Sequence, residues 1–230
     1  RMPFLRQVFE TGELIGILVG AAVVCLVGAV DDVKELDPAT KLAGQLVAAA
    51  LMAFAGVQFW SLPIGVVTVL PEPLLVLLTI FVVVLSINAV NFIDGLDGLA
   101  AGTVAVAAGS FFVYSYAISY EYNPPNVFSS ATFISAAMLG CCLGFLPHNF
   151  FPARLFMGDS GALLLGLLLA AATISTTGMV NPTDVSANPV AAMILPLLVP
   201  IAAIVLGHMA LAQLKQRPDL GGKGMAIAGL

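Results

Sequence analysis

Apolar runs of membrane-crossing length alternate with short polar islands along most of this chain. The pattern predicts helices near 13–30, 41–57, 73–91, 99–118, 128–146, 161–178 and 190–211. A helix that crosses a bilayer needs about 20 mostly apolar residues. Backbone groups in lipid must find their hydrogen bonds within the segment, so these runs are helices, and they lack the in–out alternation of barrel strands. The expected fold is an all-α polytopic membrane protein with about seven transmembrane helices, and residues 1–230 form one integral membrane domain. The stretch GVQFWSLPIGVVTVLPEP (56–73) interrupts the pattern and reads as a short hairpin without chemistry.

Composition agrees. Hydrophobic residues make up 60% of the chain, charged residues 9%, and the mean hydropathy is +1.06, against about 25% charged residues in a soluble domain. The net charge of −5 matters less than where the charges lie. With seven crossings, Lys34, Lys41, Arg154, Lys215, Arg217 and Lys223 share one side, and the other holds only Arg1 and Arg6 among the cations. The positive-inside rule assigns the first side to the cytoplasm. Asp31, Asp32, Asp94, Asp97 and Asp159 fall on that side, whereas Glu72, Glu121 and Asp184 face out. Cys25, Cys141 and Cys142 lie within apolar spans without a CxxC pair, which suits small packing residues rather than zinc or a redox centre. Trp60 sits near a membrane boundary, a common place for tryptophan. No nucleic-acid partner is expected. The chain starts at Arg1 without a signal-peptide pattern, and the expectation is that earlier helices are missing.

Three islands carry the candidate chemistry. The first, GAVDDVKELDPATKLAGQ (28–45), places Asp31 and Asp32 at the end of one span. Adjacent carboxylates near an interface repel each other and lose solvation, and a nearby cation relieves both costs; a solvated loop with helix-capping acids is the simpler alternative. In the second, NAVNFIDGLDGLAAG (88–102), Asn88, Asn91, Asp94 and Asp97 recur every three residues. Such steps drift by roughly 60° each on a straight helix, so the first and last would face opposite ways. The grouping works better if the helix ends around Asp94–Gly95, with Gly95 and Gly98 permitting the break, Asp97 capping the next helix, and Asn88 and Asn91 sharing a face. Interhelical hydrogen bonding is the plain alternative for the asparagines. In the third, FLPHNFFPARLFMGDSGALLLG (145–166), Asp159 stands just before a long apolar helix, where Ser160 and free amides suit a phosphate, or Asp159 is a simple N-cap. Ionisable groups at membrane depth are costly. Gathered on one face beside amides, they are hard oxygen ligands suited to Mg²⁺ or Mn²⁺, whose shells are completed by phosphate oxygens and water. The residues therefore point to a membrane enzyme that handles a phosphorylated substrate from the cytoplasm.

GAVDDVKEL, NAVNFIDGLDGLAAG and NFFPARLFMGDSGALLLG resemble the signatures of the polyprenyl-phosphate N-acetylhexosamine-1-phosphate transferases, the glycosyltransferase 4 type. The superfamily includes bacterial enzymes that start O-antigen, teichoic acid or arabinogalactan linkers, and the phospho-MurNAc-pentapeptide transferase of peptidoglycan synthesis. The resemblance runs from about residue 13 to about 200, and the spelling is closer to the GlcNAc-1-phosphate branch.

The resemblance implies transfer of GlcNAc-1-phosphate from UDP-GlcNAc to a polyprenyl phosphate, with release of UMP and with Mg²⁺ as cofactor, at a cytoplasmic cleft in the bacterial plasma membrane. It puts the metal on Asn91 and Asp159, and catalysis on Asp31, Asp32 and Asp159. Asn149 and Phe156 match positions that contact the nucleotide base, Phe156 by stacking. Asp94 and Asp97 match the nucleotide side of the cleft, and Asn88 and Arg154 complete the substrate-binding set. A homodimer is compatible with it. A phosphate monoester has its second pKa near about 6, so direct attack by the lipid phosphate, oriented by Asp31 or Asp32, is expected over a phosphoryl-aspartate route.

The C-terminus departs from the family pattern. IAAIVLGHMALAQLKQRPDLGGKGMAIAGL has no carboxylate within its apolar part and no histidine-rich cluster, and His208 stands alone in an apolar context. Residues 1–230 alone are therefore expected to be inactive or nearly so, as an inactive truncated relative would be. Two other classes compete. An intramembrane aspartyl protease leaves Asn88, Asn91 and the Asp31–Asp32 pair without a role. A transporter or assembly scaffold suits broken helices at a polar site, but a transporter site belongs near mid-membrane.

Overall fold

The computed structural model describes residues 12–59, 62–64, 66–68, 71–121 and 129–179. The expected span 190–211, Trp60, His208 and the basic tail lie outside these residues. Within them run six helices: α1 (Gly12–Lys34), α2 (Pro38–Phe54), α3 (Glu72–Ile93), α4 (Leu99–Glu121), α5 (Ser130–Asn149) and α6 (Gly158–Met179). Each coincides with an expected span. Five are long and apolar enough to cross a membrane; α2, at 17 residues, is shorter. Leu62–Ile64 and Val66–Thr68 form β1 and β2, an antiparallel pair with Leu62 opposite Thr68, which is the hairpin expected in 56–73.

Local chemistry fixes the helix ends. α1 stops at Glu35, which takes a left-handed conformation (φ 48°), a common way to end a helix. The Glu35 amide donates to Asp31 O at 2.9 Å, and the Leu36 amide to Asp31 Oδ1 at 2.6 Å. Asp37 caps α2 by accepting from the Thr40 amide at 3.0 Å, with Pro38 at the first helical position. α3 ends at Ile93 with Asp94 as its C-cap, where the asparagine–aspartate spacing requires a break. Ser129 caps α5 through the Thr132 amide at 3.1 Å.

α6 is the hub. It packs against α1, α3, α4 and α5, and it is the most enclosed of the spanning helices. Ile17 and Val24 of α1, Val83 and Ile87 of α3, and Leu163 and Leu167 of α6 fill the core. Leu26, Phe54, Phe81 and Val106 point outward, as lipid-facing positions do. Small residues let the backbones approach. A Cβ on Gly166 would lie 2.5 Å from Ile87 Cα, and one on Gly28 would run into the Ser160 backbone. Ser86 Oγ donates to Gly166 O at 2.9 Å, adding a polar tie between α3 and α6. Cys142 is buried in this core, as expected of a small packing residue; Cys141 is exposed on the outer face of α5. The result brings the C-terminal ends of α1, α3 and α5 and the N-terminal ends of α2, α4 and α6 to one end of the bundle.

Candidate active site

Every sequence-predicted site residue lies at that end. At the centre, the Lys41 ammonium, from the first turn of α2, donates to Asp159 Oδ2 at 2.6 Å and to Asp31 Oδ2 at 2.8 Å. Asn91 completes the group. With its amide oriented to satisfy both neighbours, its oxygen accepts from Lys41 Nζ at 3.2 Å and its nitrogen donates to Asp159 Oδ1 at 2.7 Å. Lys41 thus commits all three of its donors.

One turn deeper, a second pair repeats the contact between α2 and α3. Asn88 Nδ2 donates to Gln45 Oε1 at 2.6 Å, and Gln45 Nε2 donates to Asn88 Oδ1 at 3.3 Å. Lys41 and Gln45 are four apart on α2, Asn88 and Asn91 three apart on α3, so each pair lies on one helix face. The shared face expected of the asparagines is found, with α2 as what they face. Gln45, buried at 1% exposure, carries no sequence-level assignment. Its i,i+4 spacing from Lys41 within an apolar run is the signal that could have found it.

Asp32 turns elsewhere. Its Oδ1 accepts from the Asp159 amide at 2.7 Å and its Oδ2 from the Ser160 amide at 3.2 Å. The first-turn amides of α6, expected to suit a phosphate, thus hold a carboxylate of the chain itself. Gly158, at φ +68°, makes room: a Cβ there would approach Asp32 Oδ2 to 2.8 Å.

The loop between α5 and α6 is stapled to the turn between α3 and α4. Asn149 is buried; its Oδ1 accepts from the Gly98 amide at 3.0 Å and its Nδ2 donates to Leu155 O at 2.9 Å. Asp97 Oδ2 accepts from the Ala153 amide at 3.0 Å. The N-cap expected of Asp97 is replaced by this longer-range bond, because Gly98 (φ +75°) turns the chain before α4 begins. Phe156 projects from the stapled loop with 64% of its surface exposed.

These parts enclose a cleft of about 870 Å³, lined among others by Asp31, Asp32, Asn91, Asp94, Asp97, Asn149, Phe156 and Asp159. Asn88, Arg154 and Lys41 do not line it; Arg154 is exposed and engages His148 O through its backbone amide at 2.9 Å. Burial pushes the Asp94 carboxyl up to about 7, with the negative Asp159 and Asp32 adding to the shift. Among the described residues no three His, Cys, Asp or Glu side chains gather as a metal site. The candidate donor set is instead two carboxylates, Asp31 and Asp159, with the Asn91 amide oxygen, around a point that already holds an ammonium. That set of hard oxygens fits an ion such as Mg²⁺, which takes one or two carboxylates and keeps other positions for water and phosphate.

Fold and site together define a helical membrane protein whose helix ends build a polar cleft, lined by several carboxylates, at one end of the bundle. The chain belongs to glycosyl transferase family 4, whose profile matches residues 14–177. A second profile, Domain of unknown function (DUF4190), matches residues 189–230, outside the described residues. Over 211 residues the chain is 40% identical to a Mycobacterium tuberculosis protein named decaprenyl-phosphate N-acetylglucosaminephosphotransferase, a match covering 89% of this chain and 52% of that protein. The protein of the same name from Mycolicibacterium smegmatis is 39% identical over 213 residues, covering 90% and 52%. A shorter match, 39% identical over 98 residues, links 43% of this chain to 27% of a phospho-N-acetylmuramoyl-pentapeptide-transferase from Desulforudis audaxviator. The chain spans about half the length of the first two relatives. The family expected from the three motifs is the family found.

Proposed function

We propose that this chain carries the membrane-embedded cleft of an enzyme that transfers GlcNAc-1-phosphate from UDP-GlcNAc to a polyprenyl phosphate and releases UMP. The observation that carries this reading is the meeting of Asp31, Asn91 and Asp159 around one cationic point beside a cleft that also bears Phe156. The match to the GlcNAc-named relatives, which covers 89% of this chain, favours that donor over the pentapeptide branch, whose match covers 43%.

Phosphoryl transfer depends mainly on positioning and charge neutralisation. A bound Mg²⁺ or Mn²⁺ would supply neutralisation of the donor diphosphate. Asp159 and Asn91 would hold it, with Asp31 alongside. Lys41 keeps Asp31 and Asp159 together despite their like charges. Asp32 fixes the start of α6 and, through it, the Asp159 backbone. Phe156 offers a face for the uracil, and Asp97 and Asn149 hold the loop that carries it. Asp94 stands on the nucleotide side. The lipid phosphate attacks directly, entering from the cytoplasmic face of the plasma membrane.

The test is a chimera in which residues 14–177 replace the matching segment of the M. smegmatis relative, assayed in nanodiscs with labelled UDP-GlcNAc, Mg²⁺ and polyprenyl phosphate. The expected result is a lipid-linked product and UMP, abolished by Asp159→Asn and much less affected by Asp97→Asn. A folded chimera that transfers nothing, or that prefers UDP-MurNAc-pentapeptide, overturns the reading.

A further inference from the structure

Lys41 and a divalent cation need the same oxygens. Asp159 Oδ2, Asp31 Oδ2 and the Asn91 amide oxygen all accept from the one ammonium, at 2.6, 2.8 and 3.2 Å. Asp159 Oδ1 is engaged as well, by the Asn91 nitrogen. The helix that carries Lys41 is itself held: Gln45, one turn on, is clamped to Asn88 and buried. Any adjustment to a second cation therefore falls on the Lys41 side chain, a flexible stem with a compact charge, and not on α2.

Charge balance gives the consequence. Asp31 and Asp159 contribute −2 and Lys41 +1, leaving −1 at the centre. Asp32 is not among the oxygens in contention, because both of its oxygens accept from the α6 amides. A divalent ion entering alone would turn −1 into +1 and set two cations against each other at contact distance. A diphosphate arriving with it restores the balance and lets both stay. We propose that Lys41 is a built-in competitor that makes metal binding conditional on the nucleotide diphosphate, so that metal and donor load as a unit. This rests on the reading of Asp159 and Asn91 as the residues that hold the cation.

The test reads Mn²⁺ binding by electron paramagnetic resonance on the whole chain in nanodiscs, with and without UDP. Lys41→Met removes the charge and keeps most of the stem. Without UDP the variant should bind Mn²⁺ about tenfold or more tightly than wild type, a conservative share of the interaction between charges about 4 Å apart. With UDP the gain in Mn²⁺ affinity should be smaller in the variant than in wild type. Lys41→Gln serves the same comparison should the first variant not fold. A wild-type arm needs no variant: Lys41 modification by a small amine reagent, read by mass spectrometry, should rise when saturating Mg²⁺ is added alone and fall again when UDP joins it. A folded variant with unchanged or weaker Mn²⁺ binding in the absence of UDP, or modification of Lys41 indifferent to Mg²⁺, overturns the proposal. If wild type binds no Mn²⁺ under either condition, the metal assignment falls with it, which separates that failure from this one.

Discussion

Asp31 and Asp32 are neighbours in sequence and serve different partners: Asp31 accepts from the Lys41 ammonium at 2.8 Å, and Asp32 from the backbone amides of Asp159 and Ser160. Consecutive residues on a helix point about 100° apart, so an acidic pair can face two elements at once. One carboxylate enters the charged cluster, and the other caps the helix that carries Asp159. Loss of a capping acceptor costs about 0.5–2 kcal/mol. Asp32→Ala should therefore lower the thermal midpoint in detergent, and Asp32→Asn, which keeps one acceptor oxygen, should lower it less. Equal midpoints for Asp32→Ala and wild type would show that the cap contributes nothing.

The Gln45–Asn88 pair should be energetically coupled. Interhelical side-chain hydrogen bonds in membranes contribute about 0.6 kcal/mol on average and up to about 1.7. Gln45→Leu and Asn88→Leu should each destabilise the chain, and the double variant should cost less than their sum. Strict additivity in a thermal or denaturant double-mutant cycle would remove the pair from the account of how α2 is held.

Asp94 should leave a signature in the pH dependence of stability. Its carboxyl is raised from the ordinary 3.8 to about 7, so the folded chain holds a proton there that the unfolded chain has lost. The stability this proton confers is present at low pH and is lost as pH rises towards 7. Unfolding midpoints measured with chelator present should fall between about pH 4 and pH 7 and level off above that, and Asp94→Asn should flatten that part of the curve. An unchanged slope in Asp94→Asn would assign the dependence to other groups.

Phe156 should matter to the nucleotide base and not to the fold, since most of its ring is exposed. Base–aromatic stacking is worth about 1–3 kcal/mol. Phe156→Ala should weaken UDP binding by calorimetry by about that amount with little change in midpoint. Asn149→Ala should lower both, because its amide joins the loop to Gly98. A Phe156→Ala protein that binds UDP as wild type does would move the base elsewhere in the cleft.

Sidedness can be read directly. Single cysteines at Asp31, Asp94 and Asp159, in a chain whose own cysteines are replaced by alanine, should resist a membrane-impermeant thiol reagent added to intact cells and react once the cells are opened. Labelling from outside at any one of the three would overturn the topology proposed here.

Much of this was legible in the chain. The six described helices follow from apolar length, and the break at Asp94–Gly95 follows from the three-residue spacing that no straight helix can present on one face. That Asp31, Asp94 and Asp159 share an end follows from the parity of the crossings. The pairings were not legible, because they depend on rotation about helix axes and on the packing of distant segments. Asp97 bonds Ala153 across 56 positions, and Asp32 bonds Asp159 across 127. Nothing local tells Asp97 to staple a loop instead of capping α4. Asn149 illustrates the same limit: it lines the cleft, yet its amide is taken up in joining the loop to the α3–α4 turn, through Leu155 O and the Gly98 amide.

Gly28 contributes no functional group, yet the Ser160 backbone occupies the place where a side chain would begin. α1 and α6 meet there with no gap, three residues before the first carboxylate of the acidic pair. A methyl group at position 28 would wedge the two backbones apart and draw Asp31 and Asp32 away from Lys41 and from the α6 amides together. Every acid, amide and amine would still be present. The site's tolerance is thus set by the thickness of a single hydrogen atom, and a survey of reactive groups would pass as intact a protein whose machinery no longer meshes.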